Sequence, residues 1–281
     1  MAYRFRQNEA IPHAVQRVFA EETAWAVGQL VRSKKRTEAV HEARKSVKKI
    51  RALFNLLGPG HKVQDRYFRD IGRLLSDSRD NTVVLQVFDE LTARQPVVSE
   101  IRDNLRRSFR QGPTEKNLSA DVAQLLRHAP PLVAENLQFE SLLPAMDETY
   151  RQGRKAWKRT HREHSAEALH NFRKQVKQHL YHLRLMENDA VAKRIDDLHA
   201  LETWLGDHHN LTVLRDRLKA DVETSHDRKR IRPLIALIDD ESHALRNRAL
   251  EAGEQLYGEK AMPIRKPPVS AVALRTVAAI A

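Results

Sequence analysis

Apolar residues recur at three- and four-residue intervals along most of the chain. The pattern predicts amphipathic helices near residues 11–32, 37–57, 64–76, 78–94 and 97–110. Breakers separate them: Gly58-Pro59-Gly60, Gln95-Pro96 and Gln111-Gly112-Pro113. Residues 114–129 read as a short helix or connector that ends at Pro130-Pro131. Beyond it, helices are predicted near 132–160, 165–187, 191–205, 208–224 and 229–257, and an irregular tail from 258 to 281. The expected fold class is all-α.

The pattern also repeats. "EAVHEARKSVK" at 38–48 and "EALHNFRKQVK" at 167–177 agree at 7 of 11 positions, 129 residues apart. The next segments, "LLSDSRDNTVVL" (74–85) and "WLGDHHNLTVLR" (204–215), share Leu, Asp, Thr and Val at a separation of 130. Two related halves of four or five helices each are implied. The expected division is a domain over 1–257, with repeat halves at 8–112 and 132–257, a connector at 113–131, and the tail at 258–281.

The identities fall on charged positions as well as core positions. On a wheel of about 100° per residue with His41 at zero, Arg44 falls near about −60°, Lys48 near about −20° and Arg51 near about −80°. Val40, Val47, Ile50, Phe54 and Leu57 occupy the adjoining arc. His41, Arg44, Lys48 and Arg51 therefore form a stripe on the shoulder of the buried face. Lys45 and Lys49 point the other way, towards an outer lip. In the second copy, His170, Arg173, Lys177 and Arg184 share one side beside Leu169, Phe172, Val176, Leu183 and Met186. Like charges at i,i+4 destabilise a helix by ~0.2–0.5 kcal/mol per pair, and an interleaved Glu would reverse the sign. Both helices forgo that gain along the edge nearest the core. Either acids on neighbouring helices, such as Asp77, Asp80 or Asp207, neutralise the stripes, or an external anion does.

Composition and charge sharpen the second possibility. With 49 Lys and Arg against 37 Asp and Glu, the net charge is +12 and the pI about 10.0. Such a chain attracts polyanions: nucleic acid, acidic lipid or phosphate polymers. Nine glycines in 281 residues favour helix. The absence of cysteine excludes disulfides and thiolate chemistry. No apolar run is long enough to span a membrane, and the start lacks the apolar core of a signal peptide, so a cytoplasmic protein is expected. No G-x-x-x-x-G-K-[ST] motif is present, which leaves a Walker-type nucleotide site unsupported. His161 and His164, or Asp207, His208 and His209, offer metal ligands, but without a His-Glu-x-x-His pattern surface histidines are the simpler reading, and no metal or cofactor is expected. Stacking aromatics are missing from the stripes, which weighs against nucleic acid.

The chain resembles the CHAD family, whose signature helix reads H-x-x-R-x-x-x-[KR]-[KR]-x-R and occurs twice. His41, Arg44, Lys48, Lys49 and Arg51 match it throughout. His170, Arg173 and Lys177 match the second copy, which departs at Gln178 and Leu180; Arg184 lies one turn further on. The family's next helix carries L-G-x-x-R-D, matched by Leu75, Arg79 and Asp80 in one copy and by Leu205 and Gly206 in the other. Basic residues ahead of the second signature helix resemble "YRQGRKAWKR" at 150–159. The resemblance implies two four-helix bundles related by a pseudo-twofold, with a basic central groove or channel that binds inorganic polyphosphate without catalysis, on polyphosphate granules. The residues it assigns to binding in the first half are His41, Arg44, Lys45, Lys48, Arg51, Arg73 and Arg79. In the second half they are Arg151, Lys155, His170, Arg173, Lys174, Lys177 and Arg184. A phosphate-polymer-processing enzyme or a nucleic-acid binder using the same groove are the alternatives.

Overall fold

The computed structural model describes residues 3–33, 36–75, 80–93, 118–223 and 228–262. Every regular element among them is helical: α1 (Ile11–Arg32), α2 (Arg36–Leu57), α3 (Lys62–Leu74), α4 (Asp80–Ala93), α5 (Leu118–Arg127), α6 (Leu143–Glu163), α7 (Ala166–Leu185), α8 (Asp189–Glu223) and α9 (Arg228–Tyr257). Short 3₁₀ turns at Pro59–His61 and Phe139–Leu142 lead into α3 and α6. The all-α expectation holds. No described helix is long and apolar enough to cross a membrane. The helix expected at 97–110, Arg79, Asp77 and most of the tail lie outside the described residues.

Two expected boundaries move. The helix anticipated from 132 begins only at Leu143, because Pro131 and a left-handed Asn136 (φ 57°) hold the preceding chain extended and turned. The helices expected at 191–205 and 208–224 are one 35-residue helix, α8. Gly206, between the two expected segments, costs a helix interior about 1 kcal/mol relative to Ala, which buried leucines on both sides offset.

The two signature helices, α2 and α7, pack against each other near the centre. The start of α7 is set by local sequence. Ahead of α7, His164 adopts a left-handed C-cap (φ 49°) that ends α6, and the Ser165 hydroxyl accepts from the Ala168 amide 3.1 Å away to start α7. Val47, Ile50, Leu53 and Phe54 from α2 share one core with Phe172, Val176, Leu180 and Leu183 from α7. The N-terminal segment ties the two: Phe5 N donates to Leu185 O at 2.8 Å and the Tyr3 hydroxyl to Lys49 O at 2.8 Å. A second, smaller core joins Val84, Phe88 and Leu91 of α4 to Leu211, Leu214 and Leu218 of α8 and Ile231, Leu234 and Ile238 of α9. A helix from the first half thus completes a distal lobe built by the second.

Candidate functional site: the cationic seams of the signature helices

In the second half, α7 lies along the early part of α8 and its stripe faces that seam. The His170 and His209 rings stand 4.9 Å apart. One turn on, Arg173 rests against Gly206: a Cβ there would lie 3.6 Å from Arg173 Nε. A further turn brings Lys177 Nζ to 2.6 Å from Glu202 Oε1, which Arg173 Nη2 also approaches at 3.8 Å. These cations are mostly shielded, with side chains 22% and 23% exposed. His170 Nδ1 and Arg173 Nε are both screened from solvent and have no hydrogen-bond partner. Leaving such a buried polar atom unsatisfied costs ~1–3 kcal/mol; the Nε atoms of Arg69, Arg154, Arg194 and Arg246 are in the same condition elsewhere. Beside the His170 end, a cleft of 270 Å³ is lined by His208, His209, Thr212 and Asp216, among others.

Burial opposes the charge on Glu202, but Lys177, Arg173 and, from the other signature helix, Lys48 overcome it and hold the carboxyl below its usual range. Lys48 therefore acts on the same carboxylate as the second-half cations, which brings charges of both helices to one place. Burial lowers the pKa of His170, and Lys174 and Arg173 lower it further. The imidazole is accordingly biased to its neutral form in the free chain.

In the first half, α2 runs along α3. Arg44 Nη1 donates to Leu75 O at 3.0 Å, just past the end of α3, where helix carbonyls lack partners. Arg51 makes a two-toothed pair with Asp65, at 2.9 and 3.4 Å. His41 Nε2 is 3.9 Å from Glu42. Lys45 is exposed and pairs with Glu42 at 3.1 Å, on the outer lip as expected.

Lys49 is a correction. It does not lie on the lip: its ammonium sits 2.6 Å from the buried Glu22 of α1 and 5.1 Å from the Tyr3 ring centroid, while Ser46 donates to the other Glu22 oxygen at 2.6 Å. A wheel of one helix counts only its own apolar arc, and α1 covers the flank that the wheel leaves open. Acids on other helices meet Arg51, Lys177 and Lys49 directly, namely Asp65, Glu202 and Glu22, while Glu42 meets Lys45 from its own helix. Of the three acids expected in that role, Asp207 reaches Arg173 only through the longer-range field, while Asp77 and the Asp80 side chain lie outside the described residues. A sequence signal for Glu202 exists, an acid one turn ahead of Leu205-Gly206.

Not every expected residue joins the seams. Arg73 and Arg151 are exposed, with side chains 73% and 67% open, and each pairs with an acid one turn back on its own helix, Asp70 and Glu148. Lys155 and Lys174 are exposed. Arg184 is half-buried and close enough to Tyr3 and Tyr181 to favour their ionised forms, against burial, which raises both pKa values. Among the described residues no group of three or more His, Asp or Glu is arranged to hold a metal.

The comparisons with known proteins agree with this architecture. The family model for the CHAD domain matches residues 9–219, so the chain belongs to the CHAD domain family. The fold is similar to the crystal structure of the CHAD domain from the plant Ricinus communis, with a TM-score of 0.60 and 17% identity over 95% of this chain and 98% of that one. No curated protein matches the chain.

Proposed function

We propose that the chain binds inorganic polyphosphate without chemically altering it, through the cations that line the two seams, and that it thereby associates with polyphosphate granules in the cytoplasm. The observation that carries this reading is the line of half-buried donors on the second stripe, the Arg173 guanidinium and the Lys177 ammonium, which share the field of one carboxylate, Glu202, with Lys48 of the other signature helix. Phosphate oxygens are the acceptors such donors suit. Arginine contributes a planar fork, lysine a mobile point charge, and a polymer without bases or sugars offers nothing else to recognise. A polyanion in the seam would also offset the repulsion that Lys174 and Arg173 exert on protonated His170. The positions belong to helices held together by a shared core, so the donors are set in place before the ligand arrives.

The test is direct binding to long-chain polyphosphate at physiological salt. Arg44→Ala combined with Arg173→Ala is expected to lower affinity at least a hundredfold while the far-ultraviolet dichroism stays helical. Unchanged affinity would remove both arginines from the site. Wild-type affinity should also fall steeply with salt, as counterion release requires. DNA outcompeting polyphosphate at matched salt would favour the nucleic-acid reading, and phosphate released from the polymer would favour an enzyme.

A further inference from the structure

Glu202 occupies two of the cations assigned to the anion. Its carboxylate lies 2.6 Å from Lys177 Nζ and 3.8 Å from Arg173 Nη2, with its side chain 16% exposed. The repeat makes this acid peculiar to one half. The offset of 130 that aligns buried Phe68, Ile71 and Leu75 with buried Leu198, Leu201 and Leu205 sets Glu202 opposite Gly72. Gly72 lies against Val47 and has no side chain to offer.

We propose that Glu202 is a built-in competitor for the anion, holding Arg173 and Lys177 while the seam is empty and yielding them when a polyanion enters. This rests on the binding function proposed above. Its consequence follows from mass action. Every anion that uses these cations must first displace a carboxylate tethered within a few ångströms of them, so every affinity carries the same penalty. A single phosphate has no further contacts with which to absorb that penalty. A polymer that reaches Lys48 and the first stripe does, because each added contact is intramolecular once the first has formed. The acid thus acts by negative selection, raising the threshold above what free phosphate can meet. It remains ionised in that role because Lys177, Arg173 and Lys48 outweigh its burial.

The test compares Glu202→Gln with wild type by calorimetric titration of orthophosphate, pyrophosphate and long-chain polyphosphate. Asp239→Asn serves as the charge-matched control, since Asp239 pairs with Arg215 in the distal lobe, away from the seam. Glu202→Gln is expected to tighten all three ligands about tenfold beyond the control, and to bring pyrophosphate into a measurable range. Affinities equal to those of the control, or weaker in a chain that remains folded, would overturn the proposal. Glu202→Asp, which keeps the charge but shortens its reach, should show a smaller gain. Should the glutamine variant fold poorly, a crystal structure of wild type with polyphosphate decides the matter. The Lys177–Glu202 contact must open, and a carboxylate still at 2.6 Å refutes displacement. If wild type binds no polyphosphate, the proposed function fails and the competitor role falls with it. If wild type binds and the variant gains nothing, only the competitor role fails.

Discussion

The first and second signature helices share Arg44/Arg173 and Lys48/Lys177 but satisfy their cations differently. Arg44 meets a backbone carbonyl, because α3 ends at Leu74 and leaves the Leu75 oxygen available. Its counterpart Arg173 faces a helix that continues unbroken for 35 residues, so no such carbonyl is on offer, and it approaches a carboxylate instead. Arg51 pairs with Asp65, whereas the matching positions in the second half, 129 and 130 residues on, are Leu180 and Ile195, both buried. One half keeps an ion pair where the other keeps two apolar side chains. Conversely, the first half buries Ile50 and Leu53 where the second buries His179 and His182. The lesson is that the stripe and the contacts behind it vary independently: His41, Arg44 and Lys48 recur as His170, Arg173 and Lys177, while their support is rebuilt in each half.

The strongest way to break this comparison is to move a charge without its partner. Leu180→Arg alone should destabilise the fold by ~3–5 kcal/mol, the cost of a buried charge without a counter-ion. Adding Ile195→Asp should recover part of that loss if the two positions face each other as Arg51 and Asp65 do. Urea unfolding of the single and double variants measures the coupling, and purely additive losses would show that the halves are not interchangeable here.

Acid sensitivity should divide along the same line. His182 is fully buried, with Nε2 2.9 Å from Ala52 O and Nδ1 3.2 Å from the Thr149 hydroxyl. A carbonyl only accepts, so Nε2 carries the proton and Nδ1 is the acceptor. Burial lowers its pKa to about 4, against the small opposing effect of the Ala52 carbonyl. The unfolded chain takes up this proton below about pH 6.5, and the folded chain does not until about pH 4. Stability is therefore full above about pH 6.5 and falls as pH drops towards 4, by ~3 kcal/mol from this residue. Burial depresses His179 well below its usual value, which adds in the same direction. His182→Leu, the residue of the first half, should shrink the difference in unfolding free energy between about pH 7 and about pH 4.5. An unchanged difference would place the acid response elsewhere.

The smallest effect concerns Gly206. A methyl there would stand 3.6 Å from Arg173 Nε, an ordinary contact. Gly206→Ala should stabilise the chain by up to ~1 kcal/mol through helix propensity, read as a rise in melting temperature. A loss instead would mean that Arg173 needs the closer approach.

Periodicity alone makes much of this architecture legible. The limits of α1 and α9, the two stripes and the shoulder position of His41, Arg44, Lys48 and Arg51 all follow from it, since each involves residues within a few turns of one another. The continuity of α8 is not legible in the same way: the apolar spacing predicts two helices, 191–205 and 208–224, and the packing of buried leucines on both sides of Gly206 joins them into one. The wheel misplaces Lys49 for a related reason, because its partner Glu22 sits 27 residues away on α1.

The sequence by itself determined the helices, the repeat and the concentration of unneutralised charge on two of them, because these are short-range properties of side-chain order. Tertiary structure alone decided which charge meets what: Arg44 a carbonyl, Arg51 Asp65, Lys177 Glu202. Coulombic and hydrogen-bonding partners are chosen by distance in space. These three pairs are 31, 14 and 25 residues apart in the chain, and their atoms meet at 3.0, 2.9 and 2.6 Å only because the core sets the helices side by side.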